Sequence, residues 1–192
     1  MITAMRTLAI ILLSAAAYGA EYTIDSAHSS AGFGVRHMMV STVPGHFSKV
    51  TGAVSYDPKN LATAKVEATI DATTIDTREP KRDAHLKSPD FFDVAKFPTI
   101  TFRSTKWSNP AGKLKIAGDL TIHGVTKPVV LDVEGPTAEV KGAGGGMMIG
   151  ASAATKISRK EFGLTWNRLM EAGGAVVGDE VTITLNIEAK RN

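Results

Sequence analysis

A period-two apolar rhythm returns in segment after segment of this chain. In residues 29–38, Ala31, Phe33, Val35 and His37 fall on one face, and Gly32, Gly34 and Arg36 on the other. Val66, Ala68, Ile70 and Ala72 alternate with Lys65, Glu67, Thr69 and Asp71. Leu114, Ile116, Leu120 and Ile122 oppose Lys113, Lys115, Asp119 and Thr121, and Val181, Ile183, Leu185 and Ile187 oppose Thr182, Thr184, Asn186 and Glu188. Strict alternation marks a strand with one dry and one wet face, the pattern of antiparallel sheets. The rhythm predicts eight main strands, near residues 29–38, 47–56, 65–75, 99–107, 113–122, 129–140, 147–157 and 180–190, after a short one at 22–25. Turn residues join them: Asp57-Pro58-Lys59-Asn60, Asn109-Pro110-Ala111-Gly112 and Gly124 through Pro128. So many strands in one small chain imply a closed β-barrel or a sandwich, and short links favour an up-and-down meander. In a barrel, the dry face lines either a packed core or a cavity.

Two segments break the rhythm. In residues 77–97, Pro80 suits the first turn of a short helix, and Ser88-Pro89 reads as the N-cap and first position of a second. Asp90 and Asp93 then sit near a positive helix end, which accounts for this carboxylate pair without catalysis. Phe91, Phe92 and Phe97 crowd the same insert. A short helix cannot bury adjacent phenylalanines on one narrow face, so one is expected to look into the sheet interior and the other to pack beneath the insert. The insert is then either a lid over a barrel mouth or a plug on an ordinary core. The second break, Ile157–Gly178, reads as a helical turn and a long loop. The glycine-rich stretch 142–146 lacks the strand–loop–helix setting of a phosphate loop.

The first twenty residues have the layout of a secretory leader: one charge, Arg6, an apolar run Leu8–Ala17, then small residues before Glu21. Cleavage is expected after Gly19 or Ala20, leaving a domain over 21–192 outside the cytoplasm, in the periplasm. The apolar run is short for a bilayer span. The chain has no cysteine, which excludes both a disulfide framework and a lipid-modified cysteine at the cleavage site. The mature protein is therefore expected to carry no stable membrane anchor. Its formal charge of +3, with acids and bases interspersed, does not suggest a nucleic-acid binder.

Catalytic machinery is not visible. There is no Gly-x-Ser-x-Gly segment, and no pair among the histidines at 28, 37, 46, 85 and 123 has the spacing of a helical zinc motif. No catalytic residue, metal site or cofactor is assigned. His37 is in phase with Phe33 and Val35 and should point inward, as a satisfied core residue or as a polar handle for a ligand. His85 lies near Arg78, Lys81 and Arg82, a cluster that suits an anionic head group or a solvated helix face partnered by Glu79 and Asp83. His28 and His123 are expected to bond backbone groups in turns.

Six blocks in order make the chain strongly resemble the YceI-like family of polyisoprenoid-binding proteins. They are Tyr22 to Ser29; Phe33-Gly-Val-Arg-His37 with Pro44-Gly-His-Phe47; Asp76-Thr-Arg78 through Arg82 to Asp93, then Phe97 to Phe102; Gly118 to Pro128; Arg159 to Leu164; and Val177 to Val181. The resemblance implies an extended eight-stranded antiparallel barrel similar to lipocalins, with an apolar channel for a long isoprenoid or another long-chain amphiphile, and no settled catalytic activity. Residues 142–146 and 167–172 depart from the family pattern. Alternation phase then predicts a channel lined by Phe33, Val35, Ile70, Phe102, Leu120, Ile122, Met147, Ile149, Ile183 and Leu185, with His37 on the same face. Phe91 and Phe92 cap it, and Arg78, Arg82 and His85 are the candidates for the ligand's head. An enzyme acting on an isoprenoid or quinone-type lipid, with His37 or His85 as acid–base, is the alternative; a histidine-based metal or haem binder is a third. A homodimer stays open.

Overall fold

In a computed structural model, residues 19–142, 144–170 and 173–192 are described. The strands are β1 (Ala20–Ile24), β2 (Ser30–His37), β3 (Ser41–Phe47), β4 (Val50–Tyr56), β5 (Lys65–Asp71), β6 (Ile75–Asp76), β7 (Thr99–Ser108), β8 (Leu114–Ile122), β9 (Val125–Glu134), β10 (Val140–Lys141), β11 (Met147–Ser158) and β12 (Val177–Arg191). The one α-helix among the described residues, α1, spans Pro80–Lys87. The expected leader lies almost wholly outside the described residues. No helix among them is long and apolar enough to cross a membrane.

These strands form a closed eight-stranded antiparallel meander. The pairs β1/β2, β3/β4 and β5/β6 are each one interrupted stave, and β7, β8, β9, β11 and β12 complete the ring. Successive staves pair in order. β12 closes the circle by pairing with β11 from Met148↔Lys190 to Ser158↔Glu180, with β1 at Tyr22↔Arg191, and with β2 at Ala31↔Leu185 and Val35↔Val181. β10 is a two-residue addition beside the start of β11.

Chain chemistry explains the interruptions. Asp71 ends β5 because its carboxylate accepts from Thr73 N–H (3.0 Å) and the Thr73 hydroxyl (2.6 Å), turning the chain before it re-enters the sheet at Ile75. These bonds also hold the Asp71 carboxyl below its usual range. At the β1/β2 break, His28 Nδ1 lies 2.8 Å from Asp25 Oδ2, and Lys190 Nζ lies 2.7 Å from the same oxygen. His28 thus bonds a carboxylate and not the backbone group expected of it, and His123 packs its ring on Phe97 at 4.7 Å.

Two strands run through a proline, in one case over residues the sequence assigned to no strand and in the other over a turn expected at 124–128. Ser41–Phe47 is a strand despite Pro44, and Val125–Glu134 despite Pro128. Pro44 pairs with Gly34 of β2, while β3 meets β6 only at His46 and Phe47. Pro128 pairs with Asp119, while β9 meets β11 only at Asp132–Glu134. Each proline therefore stands where one side of its strand needs no donor. The 3₁₀ turn Arg159–Phe162 packs along β9, with Phe162 1% exposed.

The second helix expected from Ser88-Pro89 does not form. Ser88 instead closes α1, its N–H and hydroxyl both donating to His85 O. Asp93 takes a left-handed conformation (φ 45°) that no helix accommodates, and residues 89–95 run as turns. Asp90 pairs with His85 Nε2 at 2.8 Å, so the Asp90–Asp93 pair is not helix-terminal charge.

Candidate functional site

The dry faces enclose an apolar cavity of about 240 Å³. On β12 its lining runs from Val181 through Ile183, Leu185 and Ile187 to Ala189. That is ~27 Å along a strand, or roughly 20 Å of axial height once tilt is allowed for. It is a channel along the barrel, not a surface cleft.

Eleven of the sequence-predicted residues stand in its wall or cap: Phe33, Val35, Ile70, Phe91, Phe92, Phe102, Leu120, Ile122, Ile149, Ile183 and Leu185. His37 and Met147 do not line it. His37 pairs with Ser41 at the end of the β2–β3 hairpin, beyond a register shift in β12 between Val177 and Val181. Met147 opens β11 opposite Lys141. Met147 sits past one end of the cavity, and His37 stays out of the lining although its cross-strand partner Val177 is part of it.

Two glycines keep the lumen open. A Cβ on Gly45 would lie 2.2 Å from Phe33 Cζ, and one on Gly118 would lie 2.4 Å from Phe102 Cζ. Each ring therefore lies flat across a neighbouring strand instead of projecting into the bore.

Aromatic groups close the insert end. Phe92 meets Phe47 edge-on at 5.7 Å, and Phe47 tilts against Phe33 at 5.7 Å. Phe91 packs on Trp166 (5.2 Å) and His85 (5.1 Å), and His85 on Trp166 (4.9 Å). Both adjacent phenylalanines thus line the cavity, against the expectation that one would pack beneath the insert. The absence of a helix here is the reason: in a turn, consecutive side chains can face one volume.

The basic groups of the insert lie outside the lining. Arg82 Nε donates to the Thr77 hydroxyl (2.7 Å) and its Nη2 to Thr77 O (2.8 Å), while Asp83 accepts from Thr77 N–H (2.9 Å). Arg78 is exposed, with φ 62° and its N–H bonded to Asp76. His85 is held by Asp90 and the two aromatic rings.

Three positions that shape the channel and its rim escape the alternation rule. Arg159, 4% exposed, lines the insert end of the channel. Its Nε donates to Gly178 O (2.8 Å), Nη1 to Leu164 O and Trp166 O, and Nη2 to Val177 O (3.3 Å) and Asp179 Oδ1 (3.4 Å). Five donors meet five acceptors, so the guanidinium pins the 163–178 loop to the rim. Burial lowers its pKa and Asp179 opposes that shift. Asn167 extends the same seam, exchanging both amide bonds with Val177. Trp107 lines the channel because a register shift between Ser104 and Lys106 moves the inward phase from even to odd positions. The unbroken polar run Arg103-Ser104-Thr105-Lys106 is its trace in the sequence. Trp107 Nε1 is buried without a partner.

Among the described residues, the lining contains no carboxylate, lysine or histidine. Asp25, His28 and Glu188 could in principle gather round a cation, but Lys190 already places its ammonium on Asp25.

A closed eight-stranded meander around an apolar channel defines a lipocalin-like barrel. This chain belongs to the YceI-like family, whose domain matches residues 22–189. It is 40% identical to a UPF0312 protein of Vibrio cholerae over 163 residues, 81% of this chain and 84% of that one. Its fold is similar to that of BcnA of Burkholderia cenocepacia (TM-score 0.72, 24% identity, 86% of this chain and 98% of that one). It is also similar to a polyisoprenoid binding domain from Saccharophagus degradans (TM-score 0.65, 14% identity, 89% and 98%).

Proposed function

We propose that this protein is a periplasmic binding or carrier protein that holds a polyisoprenoid, or another long-chain amphiphile, inside the barrel. The observation that carries this reading is the long channel walled by aliphatic and aromatic side chains. Each methylene moved from water into such a lumen contributes ~0.8 kcal/mol, so a long chain binds with few hydrogen bonds and several chain types are tolerated. Membership of the YceI-like family and the fold shared with a polyisoprenoid binding domain support the same ligand class. A lumen without an acid–base pair supports a binder over an enzyme.

In this reading the polar end of the ligand emerges at the insert rim, beside Arg78, Arg82 and His85. The periplasmic assignment rests on residues 1–20 and is checked by N-terminal sequencing of fractionated cells, where an intact Met1 on cytoplasmic protein refutes it. The ligand assignment is tested by native mass spectrometry of protein purified from its own compartment, with organic extraction of the bound molecule. A long-chain lipid at one per barrel is expected, and an empty barrel that also fails to take up an added polyprenol overturns the reading. Arg82→Ala separates the head-group part: it should weaken a phosphate-headed isoprenoid more than the matching alcohol. Equal losses remove Arg82 from the site.

A further inference from the structure

We propose that the tip of the β2–β3 hairpin is a lipid-bilayer docking surface. The turn His37–Val40 is closed by Val40 N–H donating to His37 O (3.0 Å), with Met38 at φ 51° and Met39 at φ 59°. Two successive positive φ values make a type I′ turn, which favours asparagine and glycine at these positions. Methionine at both is a local conflict, and nothing in the fold rewards it: Met39 is 67% exposed and Val40 80%. Conflicts of this kind concentrate where function overrides folding preference.

The tip does not stand alone. Met38 N–H donates to Val176 O (2.8 Å), and Leu169, 83% exposed, bridges to Ala175 in the same loop. Four of the six large exposed hydrophobics among the described residues thus share one rim, the rim closed by the aromatic insert. Beside them, the exposed Arg36 donates from Nη2 to Met39 O (2.7 Å) and from Nη1 to the Thr42 hydroxyl (3.4 Å), and Arg168 is exposed on the neighbouring loop. A convex apolar tip with guanidinium groups behind it matches a bilayer with anionic head groups, entering to the depth of interfacial anchors, about 5–10 Å. Four side chains fall far short of the roughly 800 Å² per partner that a stable protein interface buries, which argues against a second copy as the occupant.

The test is flotation of the purified protein with vesicles of phosphatidylethanolamine containing about a third phosphatidylglycerol. Wild type should float with the vesicles, less so in high salt. The triple variant M38N/M39G/L169S should bind about tenfold more weakly. Its fold is protected, because Asn-Gly satisfies the turn, and its thermal midpoint should match or exceed the wild type's. Failure of wild type to bind, or equal binding by the variant, overturns docking. So does a wild-type dimer in sedimentation velocity that the variant dissolves without any vesicle binding, which assigns the tip to a second copy. Ile122→Trp, which obstructs the channel, should leave vesicle binding unchanged, so a failure of docking and a failure of the carrier reading are distinguishable.

Discussion

Along the wall, Ile149, Ile183 and Leu185 face the lumen by parity alone, opposite Ala189, Thr155 and Ala153 in turn, and no specific bond of theirs holds the position. At the insert end, position depends on individual bonds: Arg159 to five acceptors, Arg82 to Thr77, His85 to Asp90. The wall is therefore redundant and sensitive mainly to side-chain size. The rim is made of single attachments, and losing one releases a whole loop.

The sharpest way to break this contrast is Arg159→Met. It leaves the buried carbonyl of Leu164 and the half-buried carbonyls of Trp166 and Gly178 without their donor, while Val177 O keeps only Asn167, and should cost about 3–5 kcal/mol in urea unfolding. A cost below ~1 kcal/mol would mean the rim is as tolerant as the wall. Next comes Ile122→Trp, which overpacks the bore for about 1–3 kcal/mol while retention of a long-chain lipid falls about tenfold. Unchanged retention would place the ligand elsewhere. Gly45→Ala should cost about 1 kcal/mol by pushing the Phe33 ring toward the lumen, with a several-fold loss of lipid that crystallography can trace to the displaced ring. Trp107→Phe removes an unpartnered N–H, so stability should hold or rise by up to about 1 kcal/mol. A clear loss would reveal a partner for the indole.

The smallest effect is one of pH. The Asp25 carboxylate, by hydrogen bond and then by charge, raises the His28 pKa above its ordinary 6.5, with Glu188 adding to it. A raised histidine contributes fully below its unfolded value and loses that contribution as pH rises through its folded one. Thermal midpoints should therefore fall slightly from mildly acidic to mildly alkaline solution, and His28→Gln should flatten that slope. Asp25 is held well below the carboxylate range by Lys190 first and His28 second, so its own contribution disappears only in strong acid, outside this window.

Period-two alternation carried the fold class and placed nine of the ten wall residues named from it, because strand parity is a property of sequence alone. It failed where the backbone changes phase or direction. The shift at Ser104/Lys106 hid Trp107, and the shift between Val177 and Val181 left His37 in phase but outside the lining. Pro128, on a strand side without a partner, read as part of a turn. Arg159 was visible as a family residue, but its five bonds come from a loop whose path no local pattern encodes. The pairing of Arg82 with Thr77 is equally a matter of three-dimensional placement.

The register that joins the first strand to the last also sets an order of events. Tyr22 pairs with Arg191 and Asn192 N–H reaches Glu21 O at 3.0 Å, so the two ends of the domain meet side by side. Every other neighbouring pair of staves can form as a hairpin or a short crossover while the chain is still incomplete. The final seam closes a loop as long as the domain, the costliest entropic step, and slow folding follows from such non-local pairing. Until β12 is in place, the apolar faces of seven staves stand open to solvent. A chain shortened by its last fifteen residues would therefore be not a looser barrel but an adhesive, aggregation-prone sheet.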